Sequence, residues 1–350
     1  MTLTIEETGS VSAGEPIRRH RVLIDAGVSL DDVPAPKIAV EVCWHETAID
    51  IAAPLVFVCL PGGSINRSYY DLGPGPQSSF SFARDMAARG MITLSVDHLG
   101  VGESTRPADG FALTPDLVVA ANAHATRQVV TGLIAGTLAP GLPPLPTLTT
   151  IGVGHSMGGL LTVMQHAHDP IHAALVLLGF SNAGLIDHLP EPARILIGAP
   201  ETIADRIAAI ARQIYPAPYV EIPPSPEGSA MFYGAKADRD GVAALKAARD
   251  LLLVMPGLQS MIPGSIAPQL DKIDVPVFLG LGDQDIAGPP HAVPAAFPAS
   301  KDITLVVLPE TGHCHFIFPS RTMLFARIAE WAAMVRTGLP VPGNPLSRCS

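Results

Sequence analysis

Five residues, 154–158, contain a serine with a glycine two positions away on each side. A strand-like apolar run (148–153) precedes this segment, and a helical pattern (159–168) follows it. A serine at so tight a strand-to-helix turn has a strained backbone and a hydroxyl that projects above the sheet. The first N–H groups of the following helix lack partners within it, so they can stabilise a negatively charged oxygen nearby. We therefore interpret Ser156 as a nucleophile, the alternative being a chance pattern among the 32 glycines.

A serine hydroxyl needs a neighbouring base, which a third group holds in place. In a parallel α/β sheet these groups lie in loops at the carboxyl ends of strands. His313 follows the last strand-like run, and Gly312 before it suits a turn, so His313 is the expected base. His315 is the alternative base. A His-x-His metal pair is a third interpretation, but no convincing third ligand accompanies it, and we expect no metal.

Two aspartates that could hold the base follow the strand-like run at 275–281. Asp285, three residues past Gly282, is the favoured acid, whereas Asp283 is expected to hydrogen-bond its own backbone in a turn. The other common location for such an acid, after the run at 174–178, has no carboxylate. The acid is therefore confined to the loop after 275–281, with Asp283 as the alternative.

Two N–H donors are needed to hold the oxyanion of a tetrahedral intermediate. Met157, the residue after the nucleophile, supplies one by its position. The second is expected from the loop after the apolar run 55–60, which reads Pro-Gly-Gly-Ser. Gly63 is the favoured donor because it has no side chain to block a substrate, and Ser64 is the alternative. A plain turn would also explain these glycines.

Strand-like and helical patterns alternate through most of the chain. This alternation predicts an α/β fold with a mostly parallel central sheet flanked by helices. An opening pair of strands, at 22–25 and 37–45, is expected to be antiparallel. The later strands are predicted at 55–60, 91–96, 148–153, 174–178, 275–281 and 303–308, and the helices at 80–89, 115–136, 159–168 and 322–336.

Residues 182–270 break the alternation of strands and helices. Their apolar residues recur at helical spacing, without a convincing strand. A connection between two strands rarely needs so many residues, so the segment predicts an inserted helical cap. Phe232 and Tyr233 of this cap, together with Ser64, are candidates to bind substrate, although packing is the alternative for the aromatic pair. The predicted division is a core at 20–181 and 271–337, a cap at 182–270, and terminal extensions at 1–19 and 338–350.

Composition restricts the class of protein. The 350 residues are 48% hydrophobic and 15% charged, as in a globular protein. A net charge of −10 without a basic run argues against nucleic acid as a partner. No stretch approaches the roughly 18 apolar residues of a membrane helix, and the first 20 residues do not resemble a secretory signal. Four widely spaced cysteines suit a reducing cytoplasm, which is the expected location.

Together, these motifs resemble the α/β-hydrolase superfamily. The order Ser156, Asp285, His313 matches the order of nucleophile, acid and base in that superfamily. Residues 97–104, DHLGVGES, resemble its structural D-x-x-G-x-G-x-S turn. The likeness covers roughly residues 50–180 and 270–335. Members often have His-Gly where this chain has Pro-Gly before Gly63, but the oxyanion role needs only backbone N–H groups.

The resemblance implies a serine hydrolase that cleaves a carboxylic ester or lactone without a cofactor. The apolar residues of the predicted cap favour a substrate of small to medium size and apolar character. Dehalogenases and epoxide hydrolases of the superfamily use an aspartate at position 156, so displacement at saturated carbon is not expected. The alternatives are a hydrolase of carbon–carbon bonds in ring-fission diketones, an amidase, a cofactor-free haloperoxidase, and a ligand-binding protein without turnover. The expected partner is a small molecule, and the sequence does not determine the oligomeric state.

Overall fold

Strands of the chain form one large, mostly parallel sheet and one small pair. The structure is a computed structural model and describes residues 6–7, 17–46, 48, 51–73, 79–222, 232–234 and 236–338. The strands are β1 (Glu6–Glu7), β2 (Ile17–Asp25), β3 (Lys37–His45), β4 (Leu55–Leu60), β5 (Ile92–Val96), β6 (Thr149–His155), β7 (Ala174–Leu178), β8 (Tyr219–Val220), β9 (Leu252–Leu253), β10 (Val277–Gly282) and β11 (Ile303–Leu308).

The large sheet has the order β1-β2-β3-β5-β4-β6-β7-β10-β11. β2 and β3 are antiparallel, and β3 is antiparallel to β5. The other strands of this sheet, in the order β5-β4-β6-β7-β10-β11, are all parallel to their neighbours. The predicted α/β class with a mostly parallel sheet is therefore confirmed. The carboxyl ends of β4, β6, β7, β10 and β11 consequently lie along one edge of the sheet, where residues from distant parts of the chain can meet.

Apolar side chains alternate between the two faces of the sheet because successive residues of a strand point in opposite directions. In β4, Val56, Val58 and Leu60 belong to one buried cluster, and Phe57 and Cys59 belong to another. Helices cover both faces, which explains why the central strands are continuously apolar.

The helices begin and end where their sequences supply caps. Thr114 accepts a hydrogen bond from Leu117 N–H at the start of the longest helix, Pro115 occupies its first turn, and Gly136 ends it in a left-handed conformation. The α-helices among the described residues are α1 (Phe82–Ala88), α2 (Pro115–Ala135), α3 (Met157–His168), α4 (Ile203–Ile214), α5 (Arg239–Ala247), α6 (Val254–Met261), α7 (Ala267–Leu270) and α8 (Arg321–Gly338).

The segment between β7 and β10 contains α4 to α7, as the helical spacing indicates. Ile203, Ile207 and Ile210 of α4 are buried in a cluster that includes Leu258 of α6. The segment also contains β8 and β9, which pair antiparallel to each other. The sequence did not indicate this pair because two residues are too short to show a period. We call residues 182–270 the insertion.

The two predicted terminal extensions differ from the structure or lie outside the described residues. β2 begins at Ile17, and Glu6 and Glu7 pair with Leu23 and Val22, so part of the predicted extension at 1–19 belongs to the sheet. The predicted extension at 338–350 lies, apart from Gly338, outside the described residues. No helix within the described ranges is long and apolar enough to cross a membrane.

Candidate active site

The turn between β6 and α3 holds Ser156 in a strained conformation, with φ 55° and ψ −122°. Close backbone contacts leave no room for a side chain at Gly154 or Gly158, on either side of Ser156. A Cβ added to Gly158 would lie 2.0 Å from the Leu60 carbonyl oxygen, and one on Gly154 would lie 2.4 Å from the Gly158 oxygen. The backbones at Leu60, Gly154 and Gly158 therefore pack directly against one another. This packing holds the Ser156 hydroxyl at the carboxyl edge of the sheet.

Ser156, His313 and Asp285 form a continuous hydrogen-bonded chain. The Ser156 Oγ lies 2.8 Å from His313 Nε2, and His313 Nδ1 lies 2.7 Å from Asp285 Oδ1. The Asp285 side chain is fully buried, and that of His313 is 4% exposed. The Ala287 N–H also donates to Asp285 Oδ1, at 3.0 Å. This geometry allows His313 to accept the serine proton while Asp285 fixes the orientation of the imidazole.

The loops after β10 and β11 hold each other in place through Asp283. Its carboxylate accepts the N–H groups of Glu310, at 3.0 Å, and Thr311, at 3.1 Å. The expectation that Asp283 bonds to its own backbone is therefore wrong. β10 and β11 are adjacent parallel strands, so the neighbouring loop supplies unpaired N–H groups within reach of the carboxylate. Asp283 thus positions the histidine loop, while Asp285 contacts the histidine ring.

Two further histidines surround this chain of hydrogen bonds. His315 is fully buried, and its Nε2 lies 2.7 Å from Asp285 Oδ2. His155 places its Nε2 2.9 Å from the backbone oxygen of His313. The alternative in which His315 is the base is not supported, because the ring contacts the acid while His313 contacts Ser156. Within the described part of the chain, no three His, Cys, Asp or Glu side chains lie where they could together hold a metal ion.

The surroundings favour an ionised acid and a neutral His155. Burial by itself would raise the pKa of the Asp285 carboxyl, but the charges and N–H groups of His313 and His315 outweigh it and hold that pKa well below its usual value. Burial, followed by the nearby rings of His313 and His315, lowers the pKa of His155 well below its usual value. A carboxylate is therefore available to stabilise a protonated His313.

The proposed oxyanion donors lie on two sides of Ser156. Met157 is the first residue of α3, where backbone N–H groups have no partner within the helix. On the loop after β4, a Cβ added to Gly62 would lie 3.2 Å from the Ser156 Cβ. A Cβ on Gly63 would lie 2.8 Å from Leu252 Cδ1. The loop thus borders the nucleophile as expected, but the insertion fills the space beside the Gly63 Cα.

The residues predicted to bind substrate lie around the site at different distances. Phe232 places its ring 5.7 Å from the His313 ring, and its backbone oxygen accepts from Cys314 N–H at 3.1 Å. Tyr233 is half-buried and packs against the buried apolar cluster that contains Phe57 and Cys59 of β4. Ser64 has φ 61°, and its backbone oxygen accepts from Asp250 N–H at 2.8 Å. Phe232 therefore contacts the base, whereas Tyr233 and Ser64 serve packing and loop geometry.

A small cavity opens beside Ser156 and His313. Its volume is about 40 Å³. The insertion and the ends of β7 and β10 supply its walls, and none of Ser64, Phe232 and Tyr233 is among the described lining residues. The principal lining side chains are Phe180, Ser181, Leu185, Ser260, Ile286 and Ala287. Sequence reasoning missed them because their positions depend on how the insertion folds back over the sheet.

A mostly parallel sheet with a serine at the turn between a strand and the next helix defines an α/β-hydrolase fold. A sequence profile of the alpha/beta hydrolase family matches residues 57–323, and the chain belongs to this family. Membership supports a hydrolase activity on a small-molecule substrate. No curated protein matches the sequence at a significant level.

Solved structures share this fold at low sequence identity. A bromoperoxidase from Bacillus anthracis has a TM-score of 0.57 at 13% identity, with 90% of this chain and 99% of that chain covered. An esterase from Exiguobacterium antarcticum has a TM-score of 0.51 at 17% identity, with 85% and 96% covered. The esterase RhEst1 from Rhodococcus sp. ECU1013 has a TM-score of 0.52 at 18% identity, with 92% and 100% covered. These similarities describe the fold and not the substrate.

Proposed function

We propose that this protein is a serine hydrolase that cleaves a carboxylic ester or lactone through an acyl-enzyme intermediate. The observation that carries the proposal is the hydrogen-bonded chain from Ser156 Oγ through His313 to Asp285, with contacts of 2.8 and 2.7 Å. A base within hydrogen-bond reach of the nucleophile, itself held by a buried carboxylate, is the arrangement that activates a serine hydroxyl.

In the first half of the reaction, His313 Nε2 accepts the Ser156 proton as Oγ attacks the carbonyl carbon. The N–H groups of Met157 and Gly63 hold the resulting oxyanion. Protonated His313 then donates its proton to the leaving alkoxide, and the ester C–O bond breaks. Throughout, the Asp285 carboxylate keeps the proton of His313 on Nδ1 and stabilises the charged ring.

In the second half, His313 removes a proton from water, which attacks the acyl-enzyme carbonyl carbon. The tetrahedral intermediate collapses, and protonated His313 returns its proton to Ser156 Oγ as the acid leaves. A lactone would follow the same steps, with the alcohol and acid released as one molecule. Every proton transfer passes through His313 Nε2, so the reaction needs no cofactor or metal.

The cavity beside Ser156 supports an apolar acyl group. Phe180, Leu185, Ile286 and Ala287 contribute apolar side chains to its walls. We propose that the insertion acts as a cap, because Leu185 and Ser260 from it complete the cavity walls opposite Ile286. The remainder of the substrate would extend away from this cavity, on the side of Phe232.

Labelling with a fluorophosphonate probe, followed by peptide mapping, tests the proposed nucleophile directly. We expect covalent modification at Ser156 in the wild-type protein and none in the Ser156→Ala variant. A panel of p-nitrophenyl esters, lactones and amides should then show ester or lactone turnover that depends on Ser156. Absence of labelling in the folded wild-type protein would support the ligand-binding alternative, and ester turnover within tenfold of wild type in Ser156→Ala would refute the mechanism.

A further inference from the structure

Both oxygens of the Asp285 carboxylate accept from imidazole rings. Oδ1 lies 2.7 Å from His313 Nδ1, and Oδ2 lies 2.7 Å from His315 Nε2. The side chains of Asp285 and His315 are fully buried. The Ala287 N–H adds a third donor, on Oδ1. Histidine rings therefore hold both oxygens of the proposed acid. A triad of serine, histidine and aspartate would account only for the bond to Oδ1.

The two histidines reach the same carboxylate because the chain turns between them. The His315 N–H donates to the His313 backbone oxygen at 3.1 Å, and a short 3₁₀ helix, His315–Ile317, begins at His315. His155 donates from Nε2 to that same oxygen, at 2.9 Å. In an extended chain, residues two apart would point in the same direction from different places along the strand. The turn instead directs both rings at Asp285.

The hydrogen bond to Asp285 determines which ring nitrogen of His315 carries a proton. An ionised carboxylate only accepts, so the His315 proton toward it must reside on Nε2. Its Nδ1 is buried without a hydrogen-bond partner among the described residues. An unpartnered buried nitrogen is unfavourable, and an apolar side chain at this position would avoid that cost. Packing alone therefore does not explain a histidine here, whereas a donor to Asp285 does.

We propose that His315 is a positioning residue, which fixes the rotation of the Asp285 carboxylate so that Oδ1 stays aligned with His313 Nδ1. Rotation about the Cβ–Cγ bond moves both oxygens, so a donor on Oδ2 adds a restraint to the one that the two donors on Oδ1 already exert. His315 touches neither the serine nor the reacting atoms in this scheme, and it acts only through Asp285. The inference rests on the proposed function, because it assigns His315 a part in the same reaction.

Two substitutions distinguish the effect of the hydrogen bond on kcat from the effect of the volume of the ring. His315→Gln can place an amide N–H near the position of Nε2, while His315→Leu fills similar space without a donor. We expect His315→Leu to lower kcat by about 10- to 100-fold, as loss of a supporting contact commonly does, with KM within threefold of wild type. His315→Gln should recover kcat to within fivefold of wild type. The rate of fluorophosphonate labelling at Ser156 should follow kcat across the series.

His172→Gln is the matched control, because His172 is also buried and its ring neighbour is His166. It should retain wild-type kcat within threefold. Thermal unfolding of each variant identifies loss of fold, and if His315→Leu does not fold, His315→Asn replaces it. The Asn amide is too short to reach Asp285 Oδ2 and should be as slow as expected for the leucine variant.

The positioning role is refuted if the variant without a donor keeps kcat within threefold of wild type, or if His315→Gln is as slow as that variant. These results differ from failure of the proposed function. That failure would appear in the wild-type protein itself, as absence of labelling at Ser156 and of ester or lactone turnover.

Discussion

Gly158 packs against the backbone carbonyl of Leu60 so closely that an added Cβ would lie 2.0 Å from that oxygen. The contact joins the start of α3 to the end of β4, and therefore joins the nucleophile to the loop that carries Gly62 and Gly63. Neither backbone can move away without shifting the strand or the helix to which it belongs. The distance between the two proposed oxyanion donors is set by this contact.

The Gly158→Ala substitution should therefore displace α3 from β4. We expect it to slow fluorophosphonate labelling of Ser156 by about 100-fold, which is the usual effect of a displacement near 1 Å at a reacting group. Gly338→Ala is the control, because an added Cβ there meets nothing within 4 Å. Labelling of Gly158→Ala at the wild-type rate would show that the turn between β6 and α3 tolerates a wider separation from β4 than its contacts indicate.

Asp285→Asn should reduce kcat by about 10³- to 10⁴-fold, as does the loss of a triad carboxylate that holds the tautomer of its histidine. An amide has one acceptor oxygen, so it can accept from His313 or from His315 but not from both. Either choice places the NH₂ group against a ring N–H. The variant should remain folded, as near-ultraviolet circular dichroism can establish.

Asp283→Asn provides the comparison for Asp285→Asn. Among the described residues, the Asp283 carboxylate accepts backbone N–H groups, from Glu310 and Thr311. An amide oxygen can retain one of these bonds, and neither bond involves the His313 ring, so we expect the cost to appear mainly in stability and kcat to fall by less than about tenfold. Equal losses in the two variants would contradict the assignment of Asp285 as the acid.

Sequence patterns predicted the proposed reacting groups because each follows a strand of the sheet, and parallel strands end at one edge of the sheet. They could not give the contacts that arise between loops. The bond from His315 to Asp285 depends on a turn at Cys314, and Asp283 bonds to a loop 27 residues away. The antiparallel pair β8–β9 and the contact of Leu252 with Gly63 likewise depend on how the insertion folds. Local periodicity carries no information on such contacts.

The stability of the protein should fall as the pH drops below about 6.5. Burial, with a smaller contribution from His166, lowers the pKa of His172 to about 3, from an ordinary 6.5. Between these values the unfolded chain binds a proton that the folded protein does not, so acid favours unfolding. The free energy of unfolding should decrease by about 1.4 kcal/mol per pH unit for one such histidine. The lowered pKa of His155 acts in the same direction.

Urea unfolding at pH 7.5, 6.5 and 5.5 measures this dependence. His172→Gln should show a shallower slope below pH 6.5 than the wild-type protein, because its side chain does not titrate. His168→Gln, at an exposed position near the end of α3, should keep the wild-type slope. If the slopes of the wild-type protein and His172→Gln coincide, protonation of His172 does not contribute to acid unfolding.

The cavity wall formed by Leu185 should limit the length of the acyl chain. Leu185 lines the cavity beside Ser156, and shortening it to alanine would add space to this cavity. One or two methylenes in a fitted apolar pocket change specificity by roughly 10- to 200-fold. We therefore expect Leu185→Ala to raise kcat/KM for p-nitrophenyl butyrate relative to the acetate by about tenfold. Ile195→Ala, at a 54% exposed residue of the same insertion, should leave this ratio unchanged. A ratio that stays constant in Leu185→Ala, with both esters turned over, would mean that the acyl group binds outside this cavity.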